Sequence, residues 1–261
     1  MRDDVRTKPT GAVSACDGLS ILVTGASRGI GRAVAEGLAA AGADVTLAAR
    51  SQDALREVAD GIAASGGTAE IAVADLTGPE AARDVVAQAV DRFGALDGAF
   101  VNAGVSVDVP AFEISEEDWR RVLDVNLSGA FFTAQAAGRA MRGRGGSIVF
   151  TSSTFAHVAF PLRSAYAASK AGVAHLARQL ALEWAPERIR VNAVGPTATL
   201  TDLNRERLSQ PAIRDALVAK IPLGRLLEPA DLIGAVGFLL GRESAMVTGQ
   251  SLLVDGGFTI Q

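Results

Sequence analysis

Ser153, Tyr166 and Lys170 stand at a spacing that could move a proton. Within SSTFAHVAFPLRSAYAASK (152–170) a hydroxyl lies thirteen residues ahead of a phenol, and an ammonium follows four residues later. On a helix opening near Ala165 the tyrosine and the lysine share one face, a turn apart. A phenol with a pKa of about 10 is a poor base at neutral pH. An ammonium within roughly 4–6 Å favours the phenolate and brings that pKa down by about 1–3 units. Ser153, at the end of an apolar strand, is placed to hydrogen-bond the same substrate oxygen, holding a carbonyl or alcohol against the phenol while a hydride moves at the neighbouring carbon. Each residue alone is ordinary; the reading needs a hydride carrier beside them.

A site for such a carrier lies near the start of the chain. SILVT (20–24) runs into TGASRGIGRAV (24–34), a glycine-rich turn that opens directly into a helix. Gly25, Gly29 and Gly31 let the backbone come close to a pyrophosphate, and Ser27, Arg28 and Ile30 fill the turn between them. The helix N-terminus adds unpaired N–H groups and partial positive charge. The spacing departs from the commoner G-x-G-x-x-G. At the end of the second strand, where a carboxylate takes the ribose hydroxyls of NAD, this chain has Ala49 followed by Arg50. Arg50, with Arg28, suits a 2′-phosphate through a bidentate fork, so NADP(H) is favoured and NAD(H) possible. Asp75, followed by Leu76 after the third strand, is an adenine-edge acceptor or an ordinary helix N-cap.

These residues need a scaffold that brings strand ends together. Short apolar runs at 20–24, 44–49, 69–74, 98–101, 147–152, 189–194 and 251–255 alternate with Ala-rich helical segments such as 31–42 and 78–94, each closed by a glycine. The pattern is α/β: a single doubly wound Rossmann-type domain, a seven-stranded parallel sheet flanked by helices. Residues 1–18, polar and broken by Pro9 and Gly11, are expected to form a flexible tail, with the catalytic domain over 19–261 and a substrate lid over about 197–228. The net charge of −4 and pI near 5.3 argue against nucleic acid. One cysteine, Cys16, excludes an internal disulfide, and two histidines leave no metal cluster in view. No apolar run suits a signal peptide or membrane span, and a reducing, cytoplasmic setting is expected.

Together these motifs resemble the short-chain dehydrogenase/reductase family over about residues 19–258. The resemblance rests on TGASRGIG (24–31), DL (75–76), NAG (Asn102, Ala103, Gly104), Asn126 in DVNLSG, Ser153, YAASK (166–170), the GP turn (195–196) with Thr201, and VDGG (254–257). It implies Tyr166 as general acid/base, Lys170 tuning it and binding the nicotinamide ribose, Ser153 orienting substrate, and Asn126 holding a relay water. It also implies nicotinamide contacts around Pro196, Thr199 and Thr201, and a homotetramer or homodimer. Two positions depart from the family pattern: Val101, where a second Asn is usual, and Thr197, where a Gly is usual.

Substrate choice falls to positions the fold leaves free: Val105 and Ser106 after NAG, Phe155, His157, Phe160 and Arg163 before the tyrosine, and Leu203 and Leu208 in the lid. The lid wording TDLNRERLSQP is similar to the gluconate 5-dehydrogenase branch, implying a sugar acid or polyol as the small-molecule substrate. The 3-oxoacyl carrier-protein reductase branch is the competitor, with Arg120, Arg121, Arg139, Arg142 and Arg144 as a docking patch for an acidic carrier. A non-catalytic NADP(H) sensor is a third reading.

Overall fold

Along each buried strand, successive side chains enter different hydrophobic cores, as the two-residue repeat of a strand covered on both faces requires. Leu22, Ile148 and Phe150 face one core with Val85, Ala134 and Leu180, while Ile21, Val23 and Val149 face the other with Val34, Leu38 and Leu239. The computed structural model describes residues 16–201 and 208–260. Its strands are β1 (Ser20–Thr24), β2 (Asp44–Ala49), β3 (Thr68–Val73), β4 (Gly98–Val101), β5 (Gly146–Thr151), β6 (Ile189–Pro196) and β7 (Ser251–Val254). They pair in parallel in the order β3-β2-β1-β4-β5-β6-β7.

Helices α1 (Gly29–Ala40), α2 (Gln52–Ala64) and α8 (Ile233–Leu240) contribute to the second core; α3 (Pro79–Phe93), α5 (Gly129–Met141) and α6 (Ser164–Trp184) contribute to the first. Two shorter helices, α4 (Glu116–Leu123) and α7 (Pro211–Val218), follow β4 and β6 in the chain. Local chemistry sets several ends. Ser115 Oγ accepts from Asp118 N at 3.0 Å to open α4, Pro79 begins α3, and Gly94 at φ +79° closes it.

The fold begins earlier than the composition suggests. Of the expected tail, residues 1–15 lie outside the described residues, but Cys16 is fully buried in the second core, and Gly18 N donates to Gly42 O. A small apolar side chain at 16 is enough to anchor the chain ahead of β1. Burial also pushes the Cys16 thiol up to about 11, so it is held as the neutral thiol. Among the described residues no helix is long and apolar enough to cross a membrane.

Candidate active site

Beyond β1 the chain turns toward β2 on one side, and β4 flanks β1 on the other, so the sheet reverses its winding there. A cleft of about 570 Å³ opens at these carboxyl ends. Its floor is backbone. Gly25 has φ +66°, and a Cβ there would sit 3.0 Å from Ala103 Cα; Gly25 N and Ala26 N donate to Ala48 O, tying the turn to β2. Ser27, Gly29 and Ile30 continue the lining, and α1 opens behind them without a side-chain cap and without an acidic residue in its first turn. An anion meets an uncompensated helix N-terminus here. Gly31 does not line the cleft. A Cβ on it would come within 2.1 Å of Gly25 O, so its part is to let α1 pack against the turn.

At one end of the cleft stand Ala49, Arg50, Asp75 and Leu76, with Arg28 at the turn. Arg28 and Arg50 are exposed, and neither makes an ion pair with a described residue. Asp75 is exposed too and is not a helix cap, since Gly78 occupies that position for α3. The residues present fit a nicotinamide dinucleotide phosphate: glycine backbone for the pyrophosphate, two cations for an extra phosphate, and Ala49 in place of a carboxylate.

The other end carries Gly104, Val105, Thr151, Tyr166 and Lys170, while Thr201 lies over the glycine turn at Gly29. Lys170 is 3% exposed and donates from Nζ to Thr151 O at 2.6 Å, and burial lowers its pKa to about 8. Nζ lies 5.7 Å from the Tyr166 ring centre. Burial pushes the Tyr166 phenol above its usual range, while a hydrogen bond with Ser153 and the charge of Arg163 pull it down. The ammonium expected to favour the phenolate thus stands beside the ring, with burial acting against the charged form of both groups. Ser153, buried at the end of β5, holds its hydroxyl by accepting from Phe155 N at 3.1 Å.

Asn126 sits in a π-helical turn (Asp124–Ser128) between α4 and α5. Its carboxamide accepts from Val105 N at 2.8 Å and donates to Val105 O and Ser169 Oγ, fixing the loop after β4. Asn102 bridges strands by donating to Thr24 O and accepting from Thr151 Oγ1, while Thr24 Oγ1 takes the N–H groups of Asn102 and Ala103. Val101 packs in the first core, so one amide ties β1 to β5. The loss of hydrogen bonding expected from Val101 is confined to a position that apolar packing fills.

Several expected contacts fall elsewhere. Pro196 ends β6 and Thr199 turns its hydroxyl to Thr197 O at 2.9 Å, so neither lines the cleft; Thr201 does, its Cγ2 3.3 Å from where a Gly29 Cβ would be. Thr197 is buried and lines a second cavity of about 360 Å³ beside β7. His157 is exposed and bonds Ser251 Oγ at 3.1 Å, because the short turn Thr154–Ala156 directs it to β7. Leu208 is buried, and Leu203 lies outside the described residues. Phe155 and Phe160 do come together, stacked at 4.9 Å, with Tyr166 and Phe258 edge-on to Phe155 at 6.4 Å each. Arg163 lies over Phe155 and bonds Ser106 and Asp108. Asp108, Lys220 and Phe258 were not legible as site residues. Asp108 had only a carboxylate two residues ahead of Pro110 to mark it, Phe258 only an aromatic after VDGG, and Lys220 had no signal.

The family model described as Enoyl-(Acyl carrier protein) reductase matches residues 25–259. An L-rhamnose 1-dehydrogenase (NAD(P)(+)) of Sphingomonas sp. is 40% identical over 247 residues, 94% of this chain and 97% of the relative. A D-threitol dehydrogenase of Mycolicibacterium smegmatis is 39% identical over 249 residues, 94% of each. A gluconate 5-dehydrogenase from Burkholderia cenocepacia J2315, solved in complex with NADP and tartrate, superposes with a TM-score of 0.91 at 34% identity, covering 96% of this chain and 100% of that one. The chain belongs to the short-chain dehydrogenase/reductase family, and it is an oxidoreductase.

Proposed function

We propose that the protein is an NADP(H)-preferring enzyme that interconverts a secondary alcohol and a ketone on a polyhydroxylated compound, a sugar, a polyol or a sugar acid. The observation that carries this is the joining, in one cleft, of the Tyr166–Lys170 end to the Arg28–Arg50 end across a glycine floor. Relatives whose names specify rhamnose, threitol and gluconate support the substrate class.

When bound, the nicotinamide supplies or accepts the hydride. The chain's own groups do the rest. The Ser153 hydroxyl and the Tyr166 phenol meet the substrate oxygen; the phenol gives its proton to the forming alkoxide in reduction and, as phenolate, takes it in oxidation. Lys170 holds positive charge beneath the phenol and is placed for a ribose hydroxyl. Asn126, by fixing Val105, positions the wall the substrate meets. Arg50 and Arg28 take the extra phosphate.

The carrier-protein reading is weaker, because its docking patch is of mixed sign. Arg120 pairs with Glu116, Arg121 with Asp118 and Arg142 with Glu187. The sensor reading leaves the buried Lys170 beside Tyr166 without purpose. The exposed Ala168, Ala171 and Leu182 on α6 support a homodimer or homotetramer, and a single buried thiol is compatible with work in the cytoplasm.

The test is nicotinamide absorbance with a panel of polyols, keto sugar acids, simple diketones and a short 3-oxoacyl thioester, each with NADP(H) and NAD(H). Turnover of a polyhydroxylated compound with NADP(H) preferred is expected. Tyr166→Phe should lower kcat by about 10²–10⁴-fold with nucleotide affinity held. Turnover of the thioester alone would overturn the reading.

A further inference from the structure

Between Phe160 and the start of α6 the chain turns through Leu162 at φ +67°, a conformation that a non-glycine residue adopts only when its surroundings hold it there. The next residue, Arg163, is thereby set at the N-cap of α6 with its side chain only 16% exposed. Its Nη1 donates to Ser106 Oγ at 2.7 Å and forms an ion pair with Asp108, which the loop after β4 brings alongside. The guanidinium also lies over the ring of Phe155, 5.9 Å from its centre, and the same ring meets Tyr166 edge-on. Ser106 directly follows Val105, a residue of the cleft wall beside Tyr166. The ion pair thus stands directly behind the cleft wall beside Tyr166.

We propose that Asp108 and Arg163 form a charge-compensated pair that recognises the hydroxyls of an uncharged polyol or sugar and discriminates against a sugar acid. This rests on the polyhydroxylated-substrate reading above and narrows it. An arginine standing alone would be a fork for a carboxylate. Here Asp108 already answers its charge, and a substrate carboxylate would be brought against a second carboxylate in a half-buried setting, where repulsion is stronger than in water. A hydroxyl fits both partners, accepting from guanidinium N–H groups and donating to carboxylate oxygens. Ser106 extends the pair with one more hydroxyl. The stacked rings of Phe155 and Phe160, only 23° from parallel, offer an apolar face to the C–H groups of the same chain. Among the described residues, Lys220 also reaches this platform, lying over the Phe160 ring at 5.3 Å.

The experiment compares kcat/KM of the full-length enzyme, with saturating NADP+, for D-threitol and L-rhamnose against D-gluconate, and repeats it with Asp108→Asn. Wild type is expected to favour at least one neutral compound over gluconate by about tenfold or more, and Asp108→Asn to shrink that ratio by about tenfold. The change should appear mainly in KM, with NADP+ affinity and melting temperature unchanged. Preference of the wild type for gluconate overturns the inference while leaving the polyhydroxylated reading intact. An unchanged ratio in a folded Asp108→Asn enzyme overturns it as well. Turnover of neither class with NADP+, while NADPH reduces simple diketones, removes the underlying reading and this inference with it.

Discussion

Lys170 is an ammonium with almost no exposure, supported by the Thr151 carbonyl oxygen at 2.6 Å, and burial brings its pKa from 10.5 to about 8. The sign of the consequence follows from proton counting. Between about 8 and 10.5 the unfolded chain keeps the Lys170 proton that the folded chain has lost, so stability from this group rises with pH across that window. Below it both states are protonated, and the burial cost is present in full. Tyr166 acts in the opposite sense from about pH 10 upward, where the unfolded phenol ionises and the folded one, raised by burial, does not. Lys170→Met should therefore flatten the rise without removing the later fall. Urea unfolding of the nucleotide-free protein should show the stability of wild type relative to the variant rising from neutral pH toward pH 10, by on the order of 2–3 kcal/mol. A constant gap would mean that the lysine titrates normally.

The glycine turn and α1 show how an element is held by what it lacks. Gly31 places α1 so close to the turn that an added Cβ would overlap Gly25 O at 2.1 Å and Asn102 Nδ2 at 2.7 Å. Backbone cannot give way as a flexible side chain does, so Gly31→Ala should move α1 off the turn. The expected cost is about 1–3 kcal/mol in urea unfolding, with NADP+ affinity falling together with stability because the turn carries both. Retained affinity with reduced stability would show that the nucleotide site does not depend on this packing. Elements of this kind were legible in the sequence. Strand and helix periodicity located all seven strands to within two residues, and the glycine turn, Ser153 and the Tyr166–Lys170 pair fell where the pattern put them. What was not legible depends on tertiary neighbours. Arg163 reads as a loop charge until Asp108, 55 positions earlier, is folded against it. Asn126 gives no sign that its helix widens by a π turn, and His157 gives none that it faces Ser251 and not the pocket. Cys16 in a polar stretch looks like tail, because one small buried side chain leaves no period to detect.

At the scale of the molecule, the net charge of −4 repels a polyanionic nucleotide, yet the cleft presents Arg28 and Arg50 beside an uncapped helix N-terminus. Selectivity between the two dinucleotides must therefore come from this local cationic end, since the remainder of the surface disfavours both. An extra phosphate held by an exposed arginine is a charge-assisted contact worth about 1.5–3 kcal/mol, and its long-range part is screened over roughly 10 Å at 0.1 M salt. Arg50→Ala should weaken NADP+ binding by about tenfold or more and leave NAD+ binding within about twofold. Raising ionic strength should weaken NADP+ binding to the wild type more steeply than NAD+ binding, and the two slopes should converge in the variant. Titration of both nucleotides at two salt concentrations measures all four quantities. Equal affinity for NADP+ and NAD+ in the wild type would mean that Ala49 and Arg50 together do not select for the phosphate, and that the cationic end serves the shared pyrophosphate alone.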